Sequence, residues 1–326
     1  MTRHYSILLV CAAIILSLML ASAGAAEEKL PGLDVYALGQ HAYVAGGANG
    51  LYVVDIRNPA NPKRVASVNT GGEAKGVFAI GSYAFVADGS AGLQIFGVRN
   101  PASPRMISSF DTPGDARDVF IFGDYACVAD AQAGLQIINI RDLKFPRIVA
   151  SVDTPGEANG VDVAGDHAYV ADGSGGLQII NIRRSDDPRI VASVTAPRDA
   201  RAVKVIADHA FVADFSGGIY AINIRNPERP RIEGTIRTPG EALGCYPLYD
   251  LLVVADGSHG LQLINKRNPA SLRIIASYDT PGEAHNVHGL ASTVYVAGSG
   301  FGLGVFDIVD RTRLNTPGYF LVHPDR

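Results

Sequence analysis

Residues 160–197 read GVDVAGDHAYVADGSGGLQIINIRRSDDPRIVASVTAP, and the fold can be read from this stretch. It holds four short apolar runs, Val161–Ala164, His167–Ala171, Leu177–Ile182 and Ile190–Val194. Gly165-Asp166 divides the first two, Asp172-Gly173-Ser174-Gly175-Gly176 the next two, and a turn at Pro188 the last. Short runs rich in Val, Ile and Tyr, cut by Gly, Asp and Pro, are strands. No helical period of useful length intervenes.

Outward from this stretch, the Val170-Ala171 pair returns at Val44-Ala45, Val86-Ala87, Val128-Ala129, Val212-Ala213, Val254-Ala255 and Val296-Ala297, each step being 42 residues. A glycine follows every pair at one fixed distance, from Gly50 through Gly176 to Gly302. Strands such as Leu177-Gln178-Ile179-Ile180-Asn181-Ile182 are apolar on both faces, so each four-stranded sheet needs a neighbour on either side. Stacking around a closed axis supplies both neighbours, and the period fits a propeller blade. A linear solenoid would need polar capping repeats, and the end repeats resemble the middle ones. The expectation is an all-β, seven-bladed β-propeller with four antiparallel strands per 42-residue repeat. Residues 33–38 open it on an innermost strand. Tyr319–Val322 is expected to form the last outer strand, after the irregular Thr316-Pro317-Gly318. With no strand exchanged at the seam, closure would rest on packing between blades one and seven.

The third strand, Leu51-Tyr52-Val53-Val54-Asp55-Ile56, resembles the LVIVD-repeat family of bacterial and archaeal surface proteins, with Asn replacing the motif Asp in Leu135-Gln136-Ile137-Ile138-Asn139-Ile140. The flanking Ala-Tyr-Val-Ala-Asp and Thr-Pro-Gly-Glu-Ala segments are similar to that family too. The resemblance covers the mature chain and implies an exported or cell-surface propeller; it brings no catalytic residues. Propellers of the WD40 and quinone-cofactor types match poorly, since the chain has no Trp.

At the N-terminus, Arg3 and His4 precede an apolar run from Ile7 to Leu20, then small residues and Glu27-Glu28-Lys29. This describes a secretory signal peptide over residues 1–26, cleaved after Ala23 or Ala26. Residues 27–32 form a short lead and 33–326 the propeller. Placement in the periplasm, outside the cell or on its surface follows, with no integral membrane association after cleavage. Loss of Arg3 takes the net charge from −4 to −5, which argues against nucleic acid as a partner. Cys127 and Cys245 replace aromatic and Val residues of other repeats and are read as unpaired core positions. The chain is read as a monomer.

Strand order places two sets of loops on opposite faces. One collects Glu73, Asp115, Glu157, Asp199, Glu241 and Glu283, with Asp88, Asp130, Asp172, Asp214 and Asp256 after the second strands. The other collects Arg57, Arg99, Arg141, Arg183, Arg225 and Arg267, with Lys63, Arg105, Arg147, Arg189, Arg231 and Arg273. Most of these charges can serve the turns themselves; the remainder would give a basic face for anionic polymers or lipid headgroups.

Specificity is expected where the repeat breaks. Lys75, Arg117, Asn159, Arg201 and His285 begin inner strands and, with Glu73, Glu157, Asp199 and Glu283, would ring the channel mouth as a site for an anionic or sugar-like ligand. His259, Glu283 and His285, near Asp256, are a weaker set of metal ligands without a recognised spacing. No Ser-His-Asp set, phosphate-binding glycine loop or paired-cysteine motif occurs, and no cofactor is expected. The functional expectation is a noncatalytic binding propeller that recognises a surface polymer or protein. A hydrolase or lyase acting at the funnel mouth, possibly metal-dependent, is the alternative.

Overall fold

The computed structural model describes residues 32–309 and 313–320. Residues 1–26, expected from the sequence to be a signal peptide, lie outside them. Seven four-stranded antiparallel sheets follow one another, each built from four consecutive strands paired in chain order. Blade four has strands Gly160–Ala164, His167–Ala171, Leu177–Asn181 and Arg189–Val194, within a residue of the sequence reading at each end. The second and third strands are buried along almost their whole length, whereas the fourth alternates with solvent. In every blade the outer hairpin carries a register shift, as between Ile179 and Ile180, a bulge that bends the outer strand.

Packing between blades forms the core. Tyr43, Leu51 and Val53 of blade one meet Val77, Val86 and Phe96 of blade two. Equivalent layers fill the remaining joints, including the seam, where Val35, Val44, Tyr52 and Val54 pack on Tyr295, Leu303 and Val305 of blade seven. Among the described residues the seam is therefore a joint like the others, packed by side chains and with no strand exchanged between blades. Cys127 and Cys245 are buried and unpaired; burial pushes the Cys245 thiol up to about 12.

Hydrogen bonds confirm the two faces. On one, Ile182 N–H donates to Asp166 O, tying the turn after strand one to the end of strand three. On the other, the loop after strand two reaches the entry segment of the next blade, as in the two-way pair between Gly173 and Ala200.

The recurrent glycine has a steric cause. Gly176 has φ 76°, and a Cβ there would lie 2.2 Å from Val194 O of the outer strand. The motif Asp or Asn also has a local role. Asn181 Oδ1 accepts from Arg183 N at 3.1 Å, and Asp55 Oδ1 from Arg57 N at 3.0 Å. Either residue closes this turn, so their exchange between repeats is neutral for the fold.

Two expectations are corrected. The last outer strand starts at Arg313 rather than Tyr319 and is described as far as Phe320, with Leu321 and Val322 of the expected strand outside the described residues; Phe320 pairs with Leu303 in the register that Val68 keeps with Leu51. Pro317 is tolerated because this outer strand is an edge. The aspartates after the second strands do not decorate a surface: Asp88, Asp130, Asp172 and Asp256 are 0% exposed and Asp214 2%. Asp172 Oδ1 accepts from Thr154 Oγ1 at 2.6 Å and Oδ2 from Gly156 N at 2.9 Å, clamping the segment that enters its own blade. Burial raises this carboxyl, and the bonds offset only part of the rise.

Candidate functional site

Inner strands project alternate side chains to the axis, and two levels of the repeat line the channel. At the first stand Asp34, Asp118 and Asn286, with Gly or Ala in the other blades. The glycines let inner strands converge: a Cβ on Gly76 would lie 2.6 Å from Arg117 O. At the second level stand Tyr36, Phe78, Phe120, Asp162, Lys204, Tyr246 and His288. Together they bound a cavity of about 270 Å³.

Each channel aspartate spans two blades. Asp34 Oδ1 accepts from its neighbour Val35 N and Oδ2 from Val77 N, both at 2.8 Å. Asp118 bonds Val119 N and Val161 N in the same manner, and Asp162 bonds Val163 N and Val205 N. Asn286 makes a similar link from blade seven to blade one, accepting from Val287 N and donating through Nδ2 to Asp34 Oδ1.

Five aromatic rings form a continuous arc between these acids. Phe120 meets Phe78 at 5.0 Å between centroids, Phe78 meets Tyr36 at 4.6 Å, Tyr36 meets His288 at 4.3 Å and His288 meets Tyr246 at 4.8 Å. Asp162 and Lys204 fill the gap. Among the described residues, no carboxylate lies within 4 Å of Lys204 Nζ, and the ammonium has no hydrogen-bond partner.

The electrostatics follow from enclosure. Burial, then the charge of Asp118, push the Asp34 carboxyl up to about 7. Asp118 and Asp162 are also raised by burial, with Lys204 opposing the rise. Burial weakens the Lys204 ammonium, but Asp162, Asp118 and Asp34 outweigh it and hold the proton more firmly than in water. Lys204 is thus a fixed cation, not an amine nucleophile. Burial, helped by Lys204, lowers His288 to about 3, leaving it neutral; its Nδ1 accepts from Ala37 N across the seam at 3.3 Å.

The residues expected at the mouth do not line this cavity. They form a chain of ion pairs along the rim of blades two to five. Lys75 Nζ lies 2.8 Å from Asp115 and 3.4 Å from Glu73. Arg117 pairs with Glu157 at 2.8 Å and donates to Asn159 Oδ1. Asn159 Nδ2 in turn donates to Ala200 O at 2.9 Å. Arg201 pairs with Asp199 at 2.8 Å and lies 5.0 Å over the Phe215 ring. Burial raises the Asp115 carboxyl, but Lys75 and Arg117 more than offset it, and the net shift is downward. These cations neutralise the acidic face locally.

His285 Nε2 instead contacts Ser299 Oγ at 2.8 Å, and His259 Nδ1 contacts Ser258 Oγ at 3.3 Å. Among the described residues no three His, Cys, Asp or Glu side chains gather to hold a metal ion, so His259, Glu283 and His285 do not form a ligand set.

Sequence reasoning missed the channel residues because it sought exceptions in loops. The signal lay in the inner strand, where Asp162, Lys204 and His288 break a position otherwise filled by Tyr and Phe.

Solved propellers share the fold. The β-propeller domain of Cps50 (Swd1) from Myceliophteria thermophila superposes with TM-score 0.68 at 13% identity, over 86% of this chain and 96% of that one. The WD40 β-propeller domain of Doa1 gives 0.69 at 12% identity, over 86% and 94%. A functionally unknown protein from Desulfotomaculum acetoxidans gives 0.59 at 16% identity, over 69% and 74%. At such identities the likeness is one of fold alone. No curated protein matches the sequence. Residues 33–70, 71–112, 113–154, 155–193 and 197–238 each match the LVIVD repeat. With well over half the chain so matched, and two further blades in the same 42-residue register, this protein belongs to the LVIVD-repeat family.

Proposed function

We propose that the protein is an exported, noncatalytic binding module that meets an anionic surface polymer through its basic face. One observation carries the reading. Arg99, Arg105, Arg141, Arg147, Arg267 and Arg273 flank the turns between third and fourth strands, are exposed, and have no carboxylate within 4 Å among the described residues. A regular array of unpaired cations matches a polymer of repeated negative charge better than a single small anion. Export rests on the N-terminal segment read from the sequence.

The test is binding to an immobilised polyanionic glycan. Affinity should fall steeply with added salt, and Arg99→Glu with Arg105→Glu should weaken it at least tenfold. Salt-independent binding, or none, overturns the reading. Fractionation of cells producing the tagged protein tests export: retention in the cytosol with residues 1–26 still attached would sink it.

The hydrolase or lyase alternative has one observation in its favour, the convergence of Asp34, Lys204 and His288 on the cavity, with Asp34 near 7. Turnover abolished by Asp34→Asn in a hydrolase and lyase screen would establish it over the binding reading.

A further inference from the structure

The channel holds more chemistry than closure of the ring requires. Three carboxylates, from Asp34, Asp118 and Asp162, face one ammonium, Lys204, and among the described residues no other cation lines the cavity. That surplus of negative charge disfavours a simple anion. Lys204, meanwhile, is half-buried and lines the cavity with no protein acceptor for its ammonium among the described residues, so a simple cation would add repulsion and leave that ammonium to water alone. A ligand with positive and negative ends answers both conditions. The arc from Phe120 to Tyr246 offers ring faces that hold an ammonium and apolar carbon together.

We propose that the central cavity binds a small amino-acid-like zwitterion. Its carboxylate accepts from Lys204 Nζ, its ammonium sits between the Asp34 and Asp118 carboxylates, and its carbon atoms lie against Tyr36, Phe78 and Phe120. The volume of about 270 Å³ admits a free amino acid; a folded partner or a long polymer does not fit.

Isothermal titration of the full mature chain with L-alanine, L-phenylalanine, propionate and ethylamine tests this. At least one zwitterion should bind, at least tenfold more tightly than propionate or ethylamine. Lys204→Met should weaken that binding at least tenfold. Phe78→Leu, which keeps an apolar side chain and the fold, should weaken it severalfold and decides the matter if Lys204→Met does not fold. Three results overturn the proposal: no zwitterion binds at millimolar concentration, ethylamine binds as tightly as alanine, or binding survives both substitutions. Polyanion binding by the outer face is measured on the same variants and should be unchanged, so failure of one reading is separable from failure of the other.

Discussion

Asn286 donates through Nδ2 to Asp34 Oδ1 at 2.6 Å, joining two inner strands 252 residues apart in the chain. Among the described residues it is the one side-chain hydrogen bond that links the first-level channel residues of blades seven and one. Asn286→Val removes the donor and the acceptor used by Val287 N, leaving the Asp34 carboxylate with a lost partner in an enclosed site. A destabilisation of about 2–3 kcal/mol is expected from chemical denaturation. A value within experimental error of wild type would show that the seam does not depend on this bond, apolar packing and the remaining contacts such as Ala37 N to His288 Nδ1 being enough.

The buried clamp predicts a graded pair. Thr154→Val removes one bond to Asp172 and should cost about 1 kcal/mol, since the carboxylate keeps Gly156 N. Asp172→Ala leaves both donors bare and opens a small cavity, so about 3 kcal/mol is expected. Equal costs for the two would contradict the clamp.

Gly176→Ala forces a Cβ to 2.2 Å from Val194 O at φ 76°. Strain and clash together should exceed about 3 kcal/mol, read as loss of soluble protein or a large drop in Tm. By contrast Gly165, also at positive φ but with open space around it, should tolerate Ala at a cost of about 1 kcal/mol.

Channel titration gives stability a dependence on pH. An unfolded Asp titrates near about 4, whereas Asp34 in the fold titrates at about 7. Between these values the folded chain keeps a proton that the unfolded chain has lost, so this contribution is present at acid pH and lost as pH rises through 7. His288 runs oppositely: folded at about 3, it refuses a proton that the unfolded chain takes below about 6.5, and its term weakens as pH falls. Asp118, Asp162 and Lys204 are the charged neighbours on the facing strands. The two opposed slopes partly cancel in wild type, so the comparison with Asp34→Asn is the informative one. Relative to wild type, that variant should gain on the order of 3 kcal/mol between about pH 4 and about pH 8. A constant difference across that range would refute the shift.

The blades were legible because apolar alternation, turn residues and the 42-residue step all point to one architecture. Blade four is readable to within a residue, and the loss of register at Thr316-Pro317-Gly318 is where the reading of the last strand failed. Charges were less legible. Asp172 stands in a hairpin loop and looks exposed in sequence, yet its loop folds inward over the entry segment. Lys75 and Arg117 look free, yet the curvature of the ring brings each to an acid one blade ahead, a relation 40 residues away that local patterns do not carry. The channel was hidden for a related reason. Asp118 and Lys204 lie far apart in sequence, and only closure of the circle places them in one cavity.

The sheet order has a consequence for synthesis. Blade one has all its strands once Val68 has been made, yet the side of Val44, Tyr52 and Val54 that meets blade seven stays bare until Tyr295, Leu303 and Val305 follow. For most of translation the nascent chain is an open arc with a sticky end. The last-made segment is what renders that arc safe from its neighbours, so lesions in blade seven should show first as aggregation of newly made protein.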